Sequence, residues 1–361
     1  MFFRLHSSCT YSITPEHIEI RSDVFGRVFK IKGLTVEDAI YLLNCLKTGI
    51  KEKSLTDRFL NLETSQSRKF TTLVNFLKEK KLLVTRSSIT ERKINDSLYD
   101  RQIRFFDSFE TDEYDGEKFN ANLQNKKVVI VGLGAYGTWL ALHCARLGIK
   151  NIIGIDYDLV ELSNLHLQVL YTKSDIGLPK AIACKKLISA VDSEIRYEGI
   201  CKKITSAKDL VPFLDNANLV FNAFGYFLEE DSNSLGSSFI TKASVLTQTP
   251  MLCMSTNWLG PFYIPGRSAC YFCTVNHQEI VPILRCNKKN FRVEKRAFCP
   301  ILSITCSLAI LEAAQFLSGI KQPKSVEGIF AIDPFQINES KFIPIKANPH
   351  CIYCSYEKHN D

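Results

Sequence analysis

Three glycines, Gly132, Gly134 and Gly137, follow directly on the apolar run "VVIV" (128–131) and precede a helical pattern of apolar residues. A strand that turns so tightly onto a helix start presents unpaired backbone N–H groups, which can hold a phosphate. Asp156 closes the next β-type run, "NIIGIDYD" (151–158), where a carboxylate is placed to accept hydrogen bonds from a ribose. On these residues alone NAD and ATP fit equally well. A third reading has the glycines only letting a helix pack close to a strand. A second chemistry is written in two C-x-x-C pairs, Cys270/Cys273 and Cys351/Cys354. Four thiolates close the tetrahedral shell of Zn²⁺ and leave no open position, so this pattern predicts a structural metal. The competing reading is two unrelated reduced pairs.

The rest of the chain bounds what these residues can serve. It has 361 residues, 45% hydrophobic and 23% charged, the composition of an ordinary soluble globular protein of two or three domains. No apolar run reaches the roughly 18 residues of a membrane span. The start, "MFFRLHSSCTYS", lacks the pattern of a signal peptide, so a cytoplasmic location without a membrane partner is expected. Thirteen cysteines in a reducing compartment argue for metal or thiol chemistry over a disulfide framework. The formal net charge is +7, and its one cluster is "RCNKKNFRVEKR" (285–296). That cluster reads as a solvated or phosphate-facing loop, and no nucleic-acid partner is expected.

The elements that must carry these residues fall into two grammars. "TPEHIEIRSDVFGRVFKIKG" (14–33) alternates around a turn at 23–26 and predicts a hairpin. Helical spacing follows at 35–50 behind a Thr cap, near 53–61, and at "FTTLVNFLKEKKLLV" (70–84). Residues 1–90 thus read as a winged-helix-like α+β module, and the polar, aperiodic 85–97 as a linker. From about residue 98 strands and helices alternate: strand 127–131, helix 136–147, strand 151–158, helix 179–191 and strand 218–224. That is the βαβαβ order of a dinucleotide-type parallel sheet.

"DYDLVELSNLHLQVLYTKSDIGLPKA" (156–181) decides between the nucleotides. It resembles the segment D-x-D-x-V-x-x-S-N-L-x-R-Q followed by D-x-G-x-x-K of the ThiF/MoeB/ubiquitin-activating superfamily of adenylating enzymes. Asp156, Asp158, Val160, Ser163, Asn164, Leu165, Gln168, Asp175, Gly177 and Lys180 all match. "LYDRQIRFFDSF" (98–109) is similar to the R-Q-containing helix that leads into that domain, and the resemblance spans most of 98–320. It implies that Gly132, Gly134, Gly137, Asp156, Asp158, Asn164, Gln168 and Lys180 bind ATP with Mg²⁺. It further implies catalytic roles for Asn164, Lys180 and Arg101, the last reaching across a homodimer interface to the γ-phosphate. The superfamily's bacterial members often carry such a tetra-Cys zinc, here Cys270, Cys273, Cys351 and Cys354.

The implied fold class is α/β: a Rossmann-like ThiF-type adenylation domain with an N-terminal winged-helix-like peptide-recognition domain and a tetra-Cys zinc site. The implied division is 1–90, a linker and lead-in helix over 91–110, and 111–361. A front module of this kind resembles the branch that matures ribosomally made peptides, such as the microcin-C maturation and pantocin glutamate-cyclising enzymes. Partner proteins of cyclodehydratases share the architecture. The resemblance implies that a precursor's leader adds as a strand to the hairpin 17–31, with helix 70–84 forming the groove. A winged helix that binds DNA is the alternative for that module.

Two positions depart from the family. Leu167 stands where the family has the arginine of R-Q, and Phe224 where an aspartate helps hold Mg²⁺. Loss of one transition-state donor costs roughly 10²–10³ in rate. His166 or Arg196 is the candidate replacement cation, and of the nearest acidic residues, Glu229, Glu230 and Asp231, Asp231 or Glu229 is the candidate metal ligand. Cys286 and Cys299 flank the basic loop, where eukaryotic relatives place a thioester-forming cysteine. The expected activity is adenylation of a carboxylate or amide of a precursor peptide; a leader-binding scaffold without catalysis is the alternative.

Overall fold

The computed structural model describes residues 1–22, 26–60, 64–87, 97–224, 232–280 and 297–355. The chain divides into two compact units, Met1–Ala121 and Asn122–Asp361.

The first unit carries β1 (Phe2–Leu5), β2 (Cys9–Ile13), β3 (Ile18–Ser22), β4 (Arg27–Ile31), α1 (Val36–Thr48), β5 (Ile50–Lys51), α2 (Glu52–Leu60), α3 (Thr64–Glu79), β6 (Leu83–Arg86), α4 (Asp100–Asp107) and the start of α5 (Gly116–Gln124). Two small antiparallel sheets form, ordered β5-β1-β6 and β2-β3-β4. Thr35 caps α1 by accepting the Asp38 N–H, and Gly49, at φ +92°, lets the chain leave the helix. Leu42, Leu43 and Leu46 of α1 meet Phe3, Leu5, Ile20, Leu73 and Leu77 in one core. The expected hairpin is β3–β4, in register from Ile18↔Ile31 to Ser22↔Arg27; most of its turn lies outside the described residues.

The sequence reading missed β1 and β2 and carried the third helix too far. α3 ends at Glu79, Lys81 adopts φ +56°, and Leu83–Arg86 turns back as a strand paired with β1. The apolar "LLV" continues the helical spacing, so periodicity could not show that its partner is the N-terminal strand. The same pairing removes 85–86 from the expected linker, whose residues 88–96 lie outside those described. Glu110, fully buried in its side chain, pairs with Arg4 of β1 and with Arg86 of β6, the latter at 3.0 Å, and accepts the Ser7 N–H at 2.7 Å. This carboxylate fixes the segment after α4 to the β1–β6 pair.

The second unit is built on an eight-stranded sheet. Its strands are β7 (Lys127–Val131), β8 (Asn151–Ile155), β9 (Arg196–Ile200), β10 (Leu219–Asn222), β11 (Met251–Ser255), β12 (Trp258–Tyr263), β13 (Gly328–Ala331) and β14 (Lys341–Pro344). They are ordered β14-β13-β12-β11-β10-β7-β8-β9. The stretch from β9 to β11 is parallel and the remainder antiparallel. Val128–Val131 is apolar throughout because β7 lies in the sheet's middle with both faces covered. The helices are α6 (Ala135–Arg146), α7 (Lys180–Val191), α8 (Val211–Leu214), α9 (Ser232–Leu246), α10 (Tyr271–Val275) and α11 (Cys299–Ser318). This is the α/β class expected. Contrary to the reading that no stretch is long and apolar enough for a membrane span, α11 qualifies by length and mean hydropathy, with 56% of the window buried in the fold. It packs on α6 and on the sheet at β11 and β12.

Candidate functional site: a nucleotide crevice and a cysteine cluster

β7 pairs with β8 on one side and β10 on the other, so the chain's direction of travel across the sheet reverses between β7 and β10. The crevice beyond the strand ends at such a reversal is where open α/β sheets take ligands. Gly132 occupies it at φ +93°. Gly134 is the N-cap of α6 and brings no side-chain cap, which leaves the helix's first N–H groups to a ligand. A Cβ at Gly137 would sit 1.8 Å from the Gly132 carbonyl oxygen, so only glycine permits this turn.

Asp156 stands behind the turn. Its Oδ2 accepts the Leu133 N–H at 2.7 Å and its Oδ1 accepts the Asp158 N–H at 2.8 Å. Burial pushes its carboxyl above the usual range, and those two N–H groups oppose the shift. Each oxygen keeps a lone pair for a ribose hydroxyl. Lys180 opens α7, is 6% exposed, and holds its Nζ 3.1 Å from Asp158 Oδ2. Its own N–H donates to the Asp158 carbonyl at 2.9 Å. Asn164 is half-buried, and its Oδ1 accepts the Glu161 N–H at 3.1 Å. Gln168 is 7% exposed, and its Oε1 is the one buried side-chain oxygen or nitrogen among the described residues without a hydrogen-bond partner. Its Nε2 lies 3.9 Å from where a Gly134 Cβ would be. A turn that admits no side chain at Gly137, a buried cation and an unpartnered acceptor against the turn fit a nucleotide polyphosphate and its sugar.

The structure therefore brings together Gly132, Gly134, Gly137, Asp156, Asp158 and Lys180, with Gln168 against the turn. Arg101 is exposed on α4 of the first unit. The two departures are both in place. Leu167 is half-buried and its carbonyl accepts from Trp139 Nε1 at 3.2 Å. The Phe224 ring lies between two glycines: Cβ atoms added at Gly132 and Gly236 would meet it at 3.5 Å and 3.2 Å. Of the replacements, His166 and Arg196 are exposed, and Glu229, Glu230 and Asp231 lie outside the described residues. So do Cys286 and the basic cluster 285–296; Cys299 is half-buried at the first residue of α11. Sequence reasoning missed Tyr171, whose hydroxyl donates to the Leu133 carbonyl at 2.8 Å. Only a neighbouring backbone group distinguishes it from any buried aromatic, and no spacing rule carries that.

Away from the crevice, Cys270, Cys273, Cys351 and Cys354 bring their sulfurs within 4.8 Å of one another. The separations are 3.8 Å for Cys270–Cys273, 3.8 Å for Cys270–Cys351 and 3.6 Å for Cys273–Cys354. Thiolates about 2.3 Å from a tetrahedral zinc stand about 3.8 Å apart, so the cluster has the size of that shell. The Asn348 N–H points at Cys273 Sγ at 3.4 Å, and the Phe272 and Tyr353 rings stack at 3.6 Å beside it. Sharing the Cys270 proton with its neighbours holds that thiol up and pulls Cys273 and Cys351 down. A dication lets all four ionise.

The sheet order, the glycine turn at its reversal and the closed cysteine cluster define a Rossmann-like α/β protein with a clamped C-terminal tail. The chain belongs to the ThiF family, which matches residues 99–353. It is similar to the sulfur carrier protein adenylyltransferase of Thermus thermophilus, 26% identical over 251 residues that cover 67% of this chain and 87% of that protein. Its fold is that of Escherichia coli MccB, solved with AMPCPP and MccA, with a TM-score of 0.73 at 22% identity over 98% of this chain and 100% of that one. PaaA gives a TM-score of 0.69 at 21% identity over 94% and 99% of the two chains. The resemblance read from the sequence is met at the level of family and fold.

Proposed function

We propose that this protein adenylates a carboxylate or amide of a ribosomally made precursor peptide. The observation that carries the reading is the end of β7 at the β7/β10 reversal, where the glycine turn has Gln168, with its unpartnered Oε1, against it and Asp156 ties it to Asp158, the partner of buried Lys180. In that reaction a peptide oxygen attacks the α-phosphate of ATP and pyrophosphate departs. An amine, amide nitrogen or carbon nucleophile of the same peptide then attacks the activated carbon and releases AMP. The backbone N–H groups of 132–135 and the Lys180 ammonium take up the charge that develops on the phosphates. Asn164 assists them, Asp156 orients the ribose, and Mg²⁺ supplies further charge neutralisation. MccB is solved with a nucleotide and MccA, a microcin C7 biosynthetic enzyme with its peptide, and that pairing supports a peptide substrate here.

The leader would add to the β4 edge of the β2-β3-β4 sheet, where Phe29 meets Phe76 of α3 with ring centroids 5.7 Å apart. Zinc is the ion proposed for the cysteine cluster. A homodimer that brings Arg101 to a second copy's crevice completes the reading, in the cytoplasm. Exposed Leu159, Leu162, Ile176, Leu178 and Ile182, on segments joined by the Leu159–Pro179 bridge, offer apolar surface for the second copy.

Leu167 and the Phe224 ring favour a second reading, in which the chain holds the leader and hands the peptide to a separate ATP-using partner. The experiment is incubation of the full chain with ATP, Mg²⁺ and a candidate precursor peptide. Peptide-dependent release of AMP and pyrophosphate is the result expected. Tight leader binding with no nucleotide turnover would instead establish the scaffold.

A further inference from the structure

Leu133, the residue between Gly132 and Gly134, has both of its backbone polar groups pinned. Its N–H is held by Asp156 at 2.7 Å and its carbonyl by the Tyr171 hydroxyl at 2.8 Å. Tyr171 is buried, and its hydroxyl also lies 3.4 Å from Cys184 Sγ. Cys184 is on α7, one turn beyond Lys180. Burial pushes the Cys184 thiol up to about 12, so it keeps its proton at neutral pH. The Cys184 thiol can donate to the Tyr171 oxygen while the Tyr171 hydroxyl donates to the Leu133 carbonyl; the Tyr197 hydroxyl, which donates to the Ala181 carbonyl at 2.9 Å, is a second hydrogen-bond partner of Cys184. The Lys180 carbonyl, 3.4 Å from the Tyr171 hydroxyl, is a weaker second acceptor.

We propose that Tyr171 is a positioning residue: through Cys184 and Leu133 it ties the phosphate-facing glycine turn to the helix that carries Lys180, setting cradle and cation as one unit. The proposal rests on the crevice being the nucleotide site. A phenylalanine would fill the same space, so the hydroxyl contributes a hydrogen bond and not volume. Losing it leaves a buried carbonyl unpaired, a change of about tenfold in the local opening equilibrium.

The test uses the full chain and its Tyr171→Phe, Cys184→Ala and Cys184→Ser variants. Amide hydrogen exchange is read without nucleotide over 130–138, and Mg·ATP affinity is read by calorimetry. Tyr171→Phe should speed exchange at 133–136 about tenfold and weaken ATP about tenfold, with β11 and β12 exchanging as in the parent. Cys184→Ala should loosen the same amides and Cys184→Ser should restore them. Unchanged exchange in Tyr171→Phe overturns the proposal. So does faster exchange with undiminished ATP affinity, and parent-like exchange in Cys184→Ala overturns the link to α7. If the parent itself binds no ATP while Tyr171→Phe exchanges faster, the strut stands and the adenylation reading falls.

Discussion

Removing the zinc proposed for the cysteine cluster should unpin the C-terminal tail, at a cost that follows from the chain's geometry. Cys270 and Cys351 are 81 residues apart in sequence, as are Cys273 and Cys354. A cross-link closing a loop of that length lowers the entropy of the unfolded chain by an amount worth about 4.5 kcal/mol at 25 °C. For a unit of this size that corresponds to roughly 10–15 °C in Tm. The sulfur separations of 3.6–3.8 Å require no rearrangement to take a tetrahedral ion, so little of that stabilisation is spent on strain. A Cys351→Ser/Cys354→Ser variant should lose one zinc per chain by elemental analysis, and its Tm should fall by that amount. Cobalt substituted into the parent should give the strong visible absorption of a tetrahedral thiolate site. Because the Cys270 thiol is held up by its neighbours, metal uptake should release protons and weaken as pH falls. A double variant melting within about 2 °C of the zinc-loaded parent would refute the reasoning, since the cluster would then be two reduced pairs that happen to touch.

Three further outcomes are expected. Leu167→Arg restores a donor at the family's position and should raise peptide-dependent AMP release roughly tenfold or more; a rate within twofold of the parent would mean that no cation is missing there. Glu110→Ala leaves Arg4 and Arg86 without their carboxylate and should destabilise the first unit by about 2–4 kcal/mol, less than a fully buried pair because Arg4 keeps 24% of its side-chain exposure. Urea unfolding monitored by hydrogen exchange in β1 and β6 measures it. Glu312 is buried on α11 and accepts from the Ser325 N–H and hydroxyl, with burial holding its carboxyl above the ordinary value of 4.5. A raised carboxyl contributes stability that is complete below 4.5 and is lost as pH rises through the folded-state value. Glu312→Gln should therefore melt higher than the parent at pH 8, and the two melting curves should converge at pH 4.

The second unit was legible because its signals are local. The apolar run before Gly132 is a strand buried on both faces, and the glycines are required by a carbonyl 1.8 Å from a would-be Cβ. The C-x-x-C pairs each sit within one turn of chain, so their meeting needed only a fold that joins 270 to 351. Asp156 and Lys180 were legible through their motif, but their roles in the unliganded protein were not. Asp156 accepts from Leu133 and Asp158, and Lys180 is held by Asp158; these are pairings between segments that spacing cannot rank. The first unit was half legible. Its helices have strong periodicity, whereas β1 and β6 exist only because they pair with each other across most of the module. Glu110 looked like one more acidic residue in a charged loop, and its burial depends on two arginines from that same pair.

Whether the crevice turns ATP over depends on what Phe224 and Leu167 do to it, and the two residues act differently. The Phe224 ring contacts the Gly132 side of the turn, whereas a Cβ at Gly134 would have only Gln168 Nε2 within 4 Å. What the ring removes is an oxygen ligand for a metal, which concerns charge and not space. Leu167 likewise subtracts a donor without closing the crevice. In the proposed reading the two changes leave the binding groups in place and remove transition-state groups, a pattern that would separate affinity from rate. Nucleotide binding with slow turnover is then the physical default, and a rapid enzyme would require a cation and a metal ligand brought from elsewhere. In the proposed homodimer, Arg101 of the second copy would be such a cation. If adenylation is fast, its rate should therefore depend on protein concentration through dimer formation; a rate per chain that stays constant on dilution past the dimer's dissociation would remove Arg101 from the chemistry.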